Sequence, residues 1–362
     1  MIIESSTLQP GSHISDLQIN AILGVGSFGI TYLVTDPAIG TRFALKEYFP
    51  AKHVTRLEGG SVVPKDGQSN PAFNNGLKLF LNEARIVAAL DHPNIVKVLR
   101  YFEANGTAYF LMPYYQGQPL HHLLESSGVF NREDAKTLIL PLMDALEYIH
   151  QEGVVHQDIK PANIFMTEQG SPILLDFGVA AAQSDDKVST QKLGSEAYAA
   201  PEQSLVDGEV GPWTYIYGLS ATLYRCVTGR IPVASALRQK ALAAGEQDPL
   251  TSFAELAPSG LYGGLTDAVE LGLKVPWQER PKDVGIWKKS FKSLDWHRSV
   301  VDGQAAEQRA GRRRRRRIAV RAIARARASE NPRSRLHRTQ RAPALVFVGP
   351  RRPTFARAES PG

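Results

Sequence analysis

Cysteine is all but missing from this 362-residue chain: Cys226 stands alone, so no disulfide can form within it, which suits a reducing compartment. No apolar run approaches the ~18 residues that cross a bilayer. The N-terminus lacks the basic stretch and apolar core of a secretory signal. A cytoplasmic protein without a transmembrane segment is the expectation. Lysine is absent from the last 65 residues, 298–362, where 18 arginines face only four acids, Asp302, Glu307, Glu330 and Glu359. That stretch carries +14, which leaves the preceding 297 residues at −8 against +6 for the whole chain. An acidic body therefore precedes a basic tail. At 43% hydrophobic and 22% charged residues, the chain is ordinary enough to bury a sizeable core.

Hydrophobic periodicity divides the body. Strand-like runs flank a glycine turn, Leu17–Leu23 before it and Ile30–Val34 after it, and Arg42–Tyr48 follows the turn signal Asp36-Pro37. Residues 50–75, rich in Gly, Pro, Asn and Ser, read as a surface insertion. Residues 76–90 place apolar side chains near i, i+3, i+4 and i+7, an amphipathic helix that His92-Pro93-Asn94 stops. Ile95–Phe102 and Ala108–Met112 read as strands around Asn105-Gly106. Helices are expected over 131–151 and 213–228. Strands first and helices afterwards give an α+β protein in two lobes, 17–112 and 116–296. Beyond it, the tail 297–362 contains six consecutive arginines, Arg312 to Arg317, which repel one another and cannot form a core. Disorder is the expectation there.

In Gly24-Val25-Gly26-Ser27-Phe28-Gly29, backbone N–H groups can approach phosphate oxygens with little Cβ in the way. A dinucleotide-binding turn of this spacing would open a helix after its last glycine. Here Ile30-Thr31-Tyr32-Leu33-Val34 continues as a strand, which favours a flap over nucleotide phosphates. Lys46 sits in an apolar strand, where it either points out from an edge or needs a carboxylate partner. Glu83, mid-way along the next helix, is the natural one. The richest segment is His156-Gln157-Asp158-Ile159-Lys160-Pro161-Ala162-Asn163, followed by Asp176-Phe177-Gly178. Phosphoryl transfer needs an acceptor for the hydroxyl proton, oxygen ligands for Mg²⁺ and a cation near the moving group. Asp158 can accept, Asn163 and Asp176 can ligate, and Lys160 can neutralise.

These motifs, with Ala200-Pro201-Glu202 and Arg280-Pro281 after them in order, resemble the eukaryotic-type (Hanks-type) protein kinase family in its bacterial Ser/Thr branch. The resemblance runs over residues 17–296. It implies a two-lobed protein kinase fold, with a β-rich N-lobe and an α-helical C-lobe. It also implies transfer of the ATP γ-phosphate to protein Ser/Thr hydroxyls, with ATP and Mg²⁺ (Mn²⁺ as a substitute) as cofactors. Protein substrates are the implied partners, autophosphorylation being one case. Ala44 would pack on adenine and Met112 would be the gatekeeper. The C=O of Pro113 and the N–H of Tyr115 would hydrogen-bond the base. His156, Phe177 and Gly178 hold structural or regulatory places in their motifs. Ser195 would contact the catalytic Asp and help select Ser/Thr acceptors, and Arg280 would pair with Glu202. Ser189 and Thr190, in the activation segment 179–199, are the phosphorylation candidates.

Two residues depart from the family pattern. Tyr215 stands where the family usually has an Asp that accepts backbone N–H bonds from the catalytic loop. Each buried donor left unpaired costs roughly 1–3 kcal/mol, so a nucleotide-binding pseudokinase or scaffold is the alternative. A small-molecule phosphotransferase would share the catalytic loop but generally lacks the Ala-Pro-Glu segment. The tail has three readings: binding to nucleic acid or an anionic membrane, a tether to the acidic body, or an out-of-frame translation of GC-rich DNA. Gln157 replaces the arginine that grips a phosphorylated activation loop. Phosphate-free and autophosphorylated protein should therefore turn over alike; a tenfold or larger gap in a phosphate-transfer assay would reject that expectation.

Overall fold

The computed structural model describes residues 6–65, 70–177, 196–205, 208–257 and 264–292. Gly178, Ser189, Thr190, Ser195 and the tail 297–362 lie outside them.

The chain begins with strands β1 (His13–Ile14), β2 (Leu17–Val25), β3 (Gly29–Asp36) and β4 (Thr41–Tyr48). A separate hairpin, β5 (Val54–Arg56) and β6 (Val62–Pro64), precedes helix α1 (Pro71–Ala88); β7 (Arg100–Ala104) and β8 (Thr107–Pro113) follow. The main sheet is antiparallel in the order β1-β2-β3-β4-β8-β7. Of the run Ile95–Phe102, only its last residues join this sheet. Ile95 instead bridges Leu174 in the second half of the molecule.

Helix α1 starts earlier than its periodicity alone implied. Asn70 caps it by accepting the Phe73 N–H, and Pro71 occupies a first-turn position where its missing N–H is harmless. It buries Phe73, Phe80, Ala84 and Val87. Tyr48 of β4 stacks between Phe73 and Phe80, with ring centroids 5.4 and 5.5 Å away. Gly76 permits this approach: a Cβ there would lie 1.9 Å from the Tyr48 hydroxyl.

The second half is helical. It comprises β9 (Gly117–Pro119), α2 (Leu120–Ser127), α3 (Arg132–Gln151), β10 (Ile164–Thr167), β11 (Pro172–Leu174), α4 (Pro212–Thr228), α5 (Ser235–Ala243), α6 (Phe253–Leu256), α7 (Gly264–Gly272) and α8 (Val284–Lys292). Helix α4 is buried without a break from Thr214 to Tyr224, as befits a helix at the centre of a lobe. It ends at Gly229, whose φ of 73° is the left-handed conformation that glycine adopts freely. Among the described residues, no helix is long and apolar enough to cross a membrane.

The stretch 50–75 is not simply a surface insertion. Its last residues, 71–75, belong to α1, and its β5–β6 hairpin packs onto the sheet. Arg56 of β5 is buried against Glu47 of β4, which is itself fully buried. Glu47 also accepts from the hydroxyls of Tyr32 (2.9 Å) and Tyr109 (2.7 Å). Arg56 Nε and Nη1 donate to the carbonyls of Ser6 and Gly60, both at 2.8 Å. Composition missed this because the stretch has only one such anchor, whose partner lies in another element. Removing one member of a buried ion pair strands the other, so Arg56→Met should destabilise the protein by about 3–5 kcal/mol. Urea unfolding followed by far-UV circular dichroism is the measurement, since all four tryptophans fall at or after residue 213. A loss below about 1 kcal/mol would mean the pair behaves like an exposed one.

Candidate active site

Strand register brings the nucleotide-side residues together. β3 pairs with β4 so that Thr31 faces Lys46, and β4 pairs with β8 so that Ala44 faces Met112 and Phe43 faces Pro113. The glycine turn closes with the Gly26 N–H donating to the Gly29 carbonyl at 2.8 Å. At Gly29 a Cβ would lie 2.1 Å from the Glu47 carbonyl oxygen, so a side chain there would force the turn away from β4. Gly24, Val25 and Phe28 are exposed, as a flap over an open cleft would be.

The catalytic loop lies between α3 and β10. Asp158 is its hub. Its Oδ2 accepts from Lys160 Nζ at 2.6 Å and from Asn163 Nδ2 at 2.7 Å. The same Asn163 nitrogen bonds the Asp158 carbonyl at 2.9 Å, which fixes the amide and leaves its oxygen for another partner. His156 is fully buried; its Nε2–H donates to the Leu175 carbonyl at 3.0 Å, and its Nδ1 accepts the Asp158 N–H at 3.3 Å. Burial holds its pKa below the ordinary histidine value, consistent with the neutral ring those two roles require. Phe177 packs on the His156 ring at 4.5 Å between centroids.

Lys46 forms an ion pair with Asp176, not with Glu83. The expected Lys46–Glu83 pair is thus absent, and burial explains why. Glu83 is 7% exposed, and burial pushes its carboxyl up to about 8, against the opposing field of Lys46. Burial thus disfavours the charged form of Glu83, which makes it the weaker partner for Lys46. Burial acts on Asp176 in the same direction, but the adjacent Lys46 ammonium outweighs it and keeps this carboxyl below the usual range. Asp158 contributes to the field at both Lys46 and Glu83, so these groups share one cleft.

Among the described residues, no cluster of three His, Cys, Asp or Glu could hold a metal by itself. Asn163 and Asp176 supply one amide and one carboxylate oxygen donor. That is a poor site for zinc but a fitting one for Mg²⁺, which keeps waters and shares phosphate oxygens.

On the far side of the loop, Glu202 and Arg280 form a buried bidentate pair at 2.9 and 2.7 Å. Arg280 lies 5.1 Å from the Tyr217 ring centroid. Tyr215 is buried and its hydroxyl has no hydrogen-bond partner; burial raises its pKa.

A model of the protein kinase domain matches residues 17–258. The chain belongs to the protein kinase family. It is 30% identical over 229 residues to the probable serine/threonine-protein kinase PknB of Bifidobacterium longum, covering 59% of this chain and 30% of that protein. It is 31% identical over 224 residues to the serine/threonine-protein kinase PknA of Mycobacterium tuberculosis, covering 60% of this chain and 48% of the relative. The chain thus spans less than half the length of either. A solved structure titled PpkA-294 apo form superposes with a TM-score of 0.71 at 32% identity, over 79% of this chain and 99% of that one. The architecture is therefore the protein kinase fold.

Reasoning from motifs missed Gln203, whose amide bridges the Gln157 carbonyl and the Ala200 N–H. A glutamine after Ala-Pro-Glu carries no signal by type or spacing.

Glu83 also makes stability depend on pH. Its carboxyl titrates near 4.5 when exposed and near 8 when folded, so the folded state binds the extra proton between those values and loses stability as pH rises. His156 acts oppositely, but only below its ordinary 6.5. Between pH 6.5 and 8 the Glu83 effect stands clear of it. The nucleotide-free, metal-free protein should melt at falling temperature across that window, and Glu83→Gln should flatten the slope in differential scanning calorimetry. An unchanged slope would count against a protonated Glu83.

Proposed function

We propose that this chain is a protein serine/threonine kinase that uses ATP and Mg²⁺, with Asp158 as the acceptor of the hydroxyl proton. The observation that carries this reading is the convergence at Asp158: one carboxylate oxygen takes bonds from both Lys160 and Asn163, in the cleft that also holds the Lys46–Asp176 pair. Among the described residues no hydrogen bond goes to its other oxygen, which would receive the acceptor hydroxyl. Lys160 beside it offsets negative charge on the moving phosphoryl group. Lys46 would contact the phosphates, and the turn Gly24–Gly29 would cover them. Ala44, Met112, Pro113 and Tyr115 would line the base pocket. Bound Mg²⁺ would neutralise phosphate charge, and Asn163 and Asp176 are the residues to hold it.

The relatives support an active enzyme over a scaffold, since those named above are described as kinases. Protein Ser/Thr side chains, its own included, are the proposed acceptors.

With radiolabelled ATP, Mg²⁺ and a Ser/Thr peptide, Asp158→Ala should lower kcat about 10²–10⁴-fold. Nucleotide affinity, read by fluorescent-ATP titration, should stay close to that of the parent protein. Retention of kcat to within about tenfold would remove Asp158 from the chemistry.

A further inference from the structure

We propose that Gln203 is a positioning residue for the Asp158 carboxylate: it clamps the catalytic loop to the Ala-Pro-Glu turn, in place of an anchor that Tyr215 does not provide. The proposal deepens the kinase reading and rests on it.

The peptide unit joining Gln157 to Asp158 is planar, so its C=O and the Asp158 N–H turn together. Both ends are held. Gln203 Nε2 donates to the Gln157 carbonyl at 2.6 Å, and the Asp158 N–H reaches His156 Nδ1 at 3.3 Å. The Gln203 contact is the shorter. The orientation of that plane sets the direction in which Asp158 leaves the backbone, and with it the carboxylate that Lys160 and Asn163 share.

Gln203 is itself fixed. Its Oε1 accepts the Ala200 N–H at 2.8 Å, and it sits in the short helical turn Pro201–Ser204, beside the buried Glu202. The chain that ends the activation segment is therefore tied through one amide to the residue preceding the proton acceptor.

Among the described residues, no other side chain donates to the Gln157 carbonyl. A cavity of about 20 Å³, room for roughly one water, opens beside the bridge and is lined by Gln157, Asp158, Gln203 and Tyr215 among others. Packing thus leaves slack where the loop needs support. The Tyr215 hydroxyl has no hydrogen-bond partner. No acceptor among the described residues takes the backbone N–H of His156 or Gln157. An aspartate at 215 could accept those N–H groups; a tyrosine ring occupies the place without doing so.

The experiment measures kcat, KM for ATP and melting temperature for Gln203→Ala and Gln203→Glu, each in the parent and in the Tyr215→Asp background. Glutamate keeps an acceptor for Ala200 but cannot donate to the Gln157 carbonyl, so it isolates the arm that matters. It also carries the test should the alanine variant not fold. Misplacing a catalytic group by a fraction of an ångström to 1 Å lowers rate steeply, so kcat should fall about 10–100-fold in either variant. KM for ATP should move less than about threefold, because the nucleotide contacts lie elsewhere. In the Tyr215→Asp background the same substitutions should lower kcat less than about threefold, the restored acceptor sharing the load. A folded Gln203→Glu protein with kcat within about twofold of the parent would overturn the proposal, as would an equal loss in both backgrounds. A parent protein that transfers no phosphate to any acceptor would instead overturn the kinase reading, and this proposal with it.

Discussion

A guanidinium leaves water at least cost when all five of its N–H groups find acceptors, and Arg280 meets that condition. Two go to the Glu202 carboxylate, and the other three to the carbonyls of Lys274, Val275 and Trp213. Glu202 takes a further bond from the Thr214 hydroxyl. Both charges are 3% exposed. Such a pair adds little net stability over an apolar substitute, because desolvation offsets most of the attraction. Its consequence is geometric. The Ala-Pro-Glu turn and the start of α4 are thereby fixed to the loop before Arg280, 78 residues beyond Glu202, since any parting of them would strand a buried charge. The catalytic loop is hung from that arrangement through Gln203, so the position of Asp158 descends from it.

The other lobe solves a related problem on one strand. Side chains of β4 alternate faces, and Lys46 and Glu47 are neighbours with opposite charges. Lys46 enters the cleft and meets Asp176; Glu47 enters the opposite face and meets Arg56 and two tyrosine hydroxyls. A slip of one residue in register would exchange the two faces and strand both charges. The buried Glu47 network therefore protects the placement of the nucleotide-side lysine. It also gives the β5–β6 hairpin a physical role that is local to the sheet.

Legibility from sequence followed the range of each interaction. Asp158, Asn163 and Asp176 stood out because phosphoryl transfer dictates their residue types; Asp158 and Asn163 share one loop, and Asp176 follows β11. Helix α4 was readable from its length and the glycine that ends it. The Lys46–Glu83 pair was inferred from charge and periodicity alone, and periodicity carries no information about how deeply a carboxylate is buried. Depth weighs against that pair, since burial disfavours the Glu83 carboxylate. Arg56 and Gln203 were hidden for a different reason. Each acts on a backbone carbonyl or a remote strand, and nothing in the residue type advertises a partner 9 or 46 positions away.

The charge inventory of the cleft gives the metal a physical reason. Lys160 is paired with Asp158 and Lys46 with Asp176, while burial disfavours the charged form of Glu83. The cleft is thus close to self-neutralised among these residues, with no cation free of an acid. A triphosphate is strongly anionic, and its approach to two carboxylates in a partly desolvated cleft is unfavourable unless positive charge arrives with it. Neither lysine can supply that charge without releasing its partner acid, which would then face the phosphates uncompensated. A divalent cation held by Asn163 and Asp176 would supply positive charge to both the carboxylate and the phosphates. In the structure, the Lys46 ammonium compensates the charge of the Asp176 carboxylate. With Mg²⁺ bound, Asp176 would be a residue to hold it, and Lys46 would then be available to phosphate oxygens.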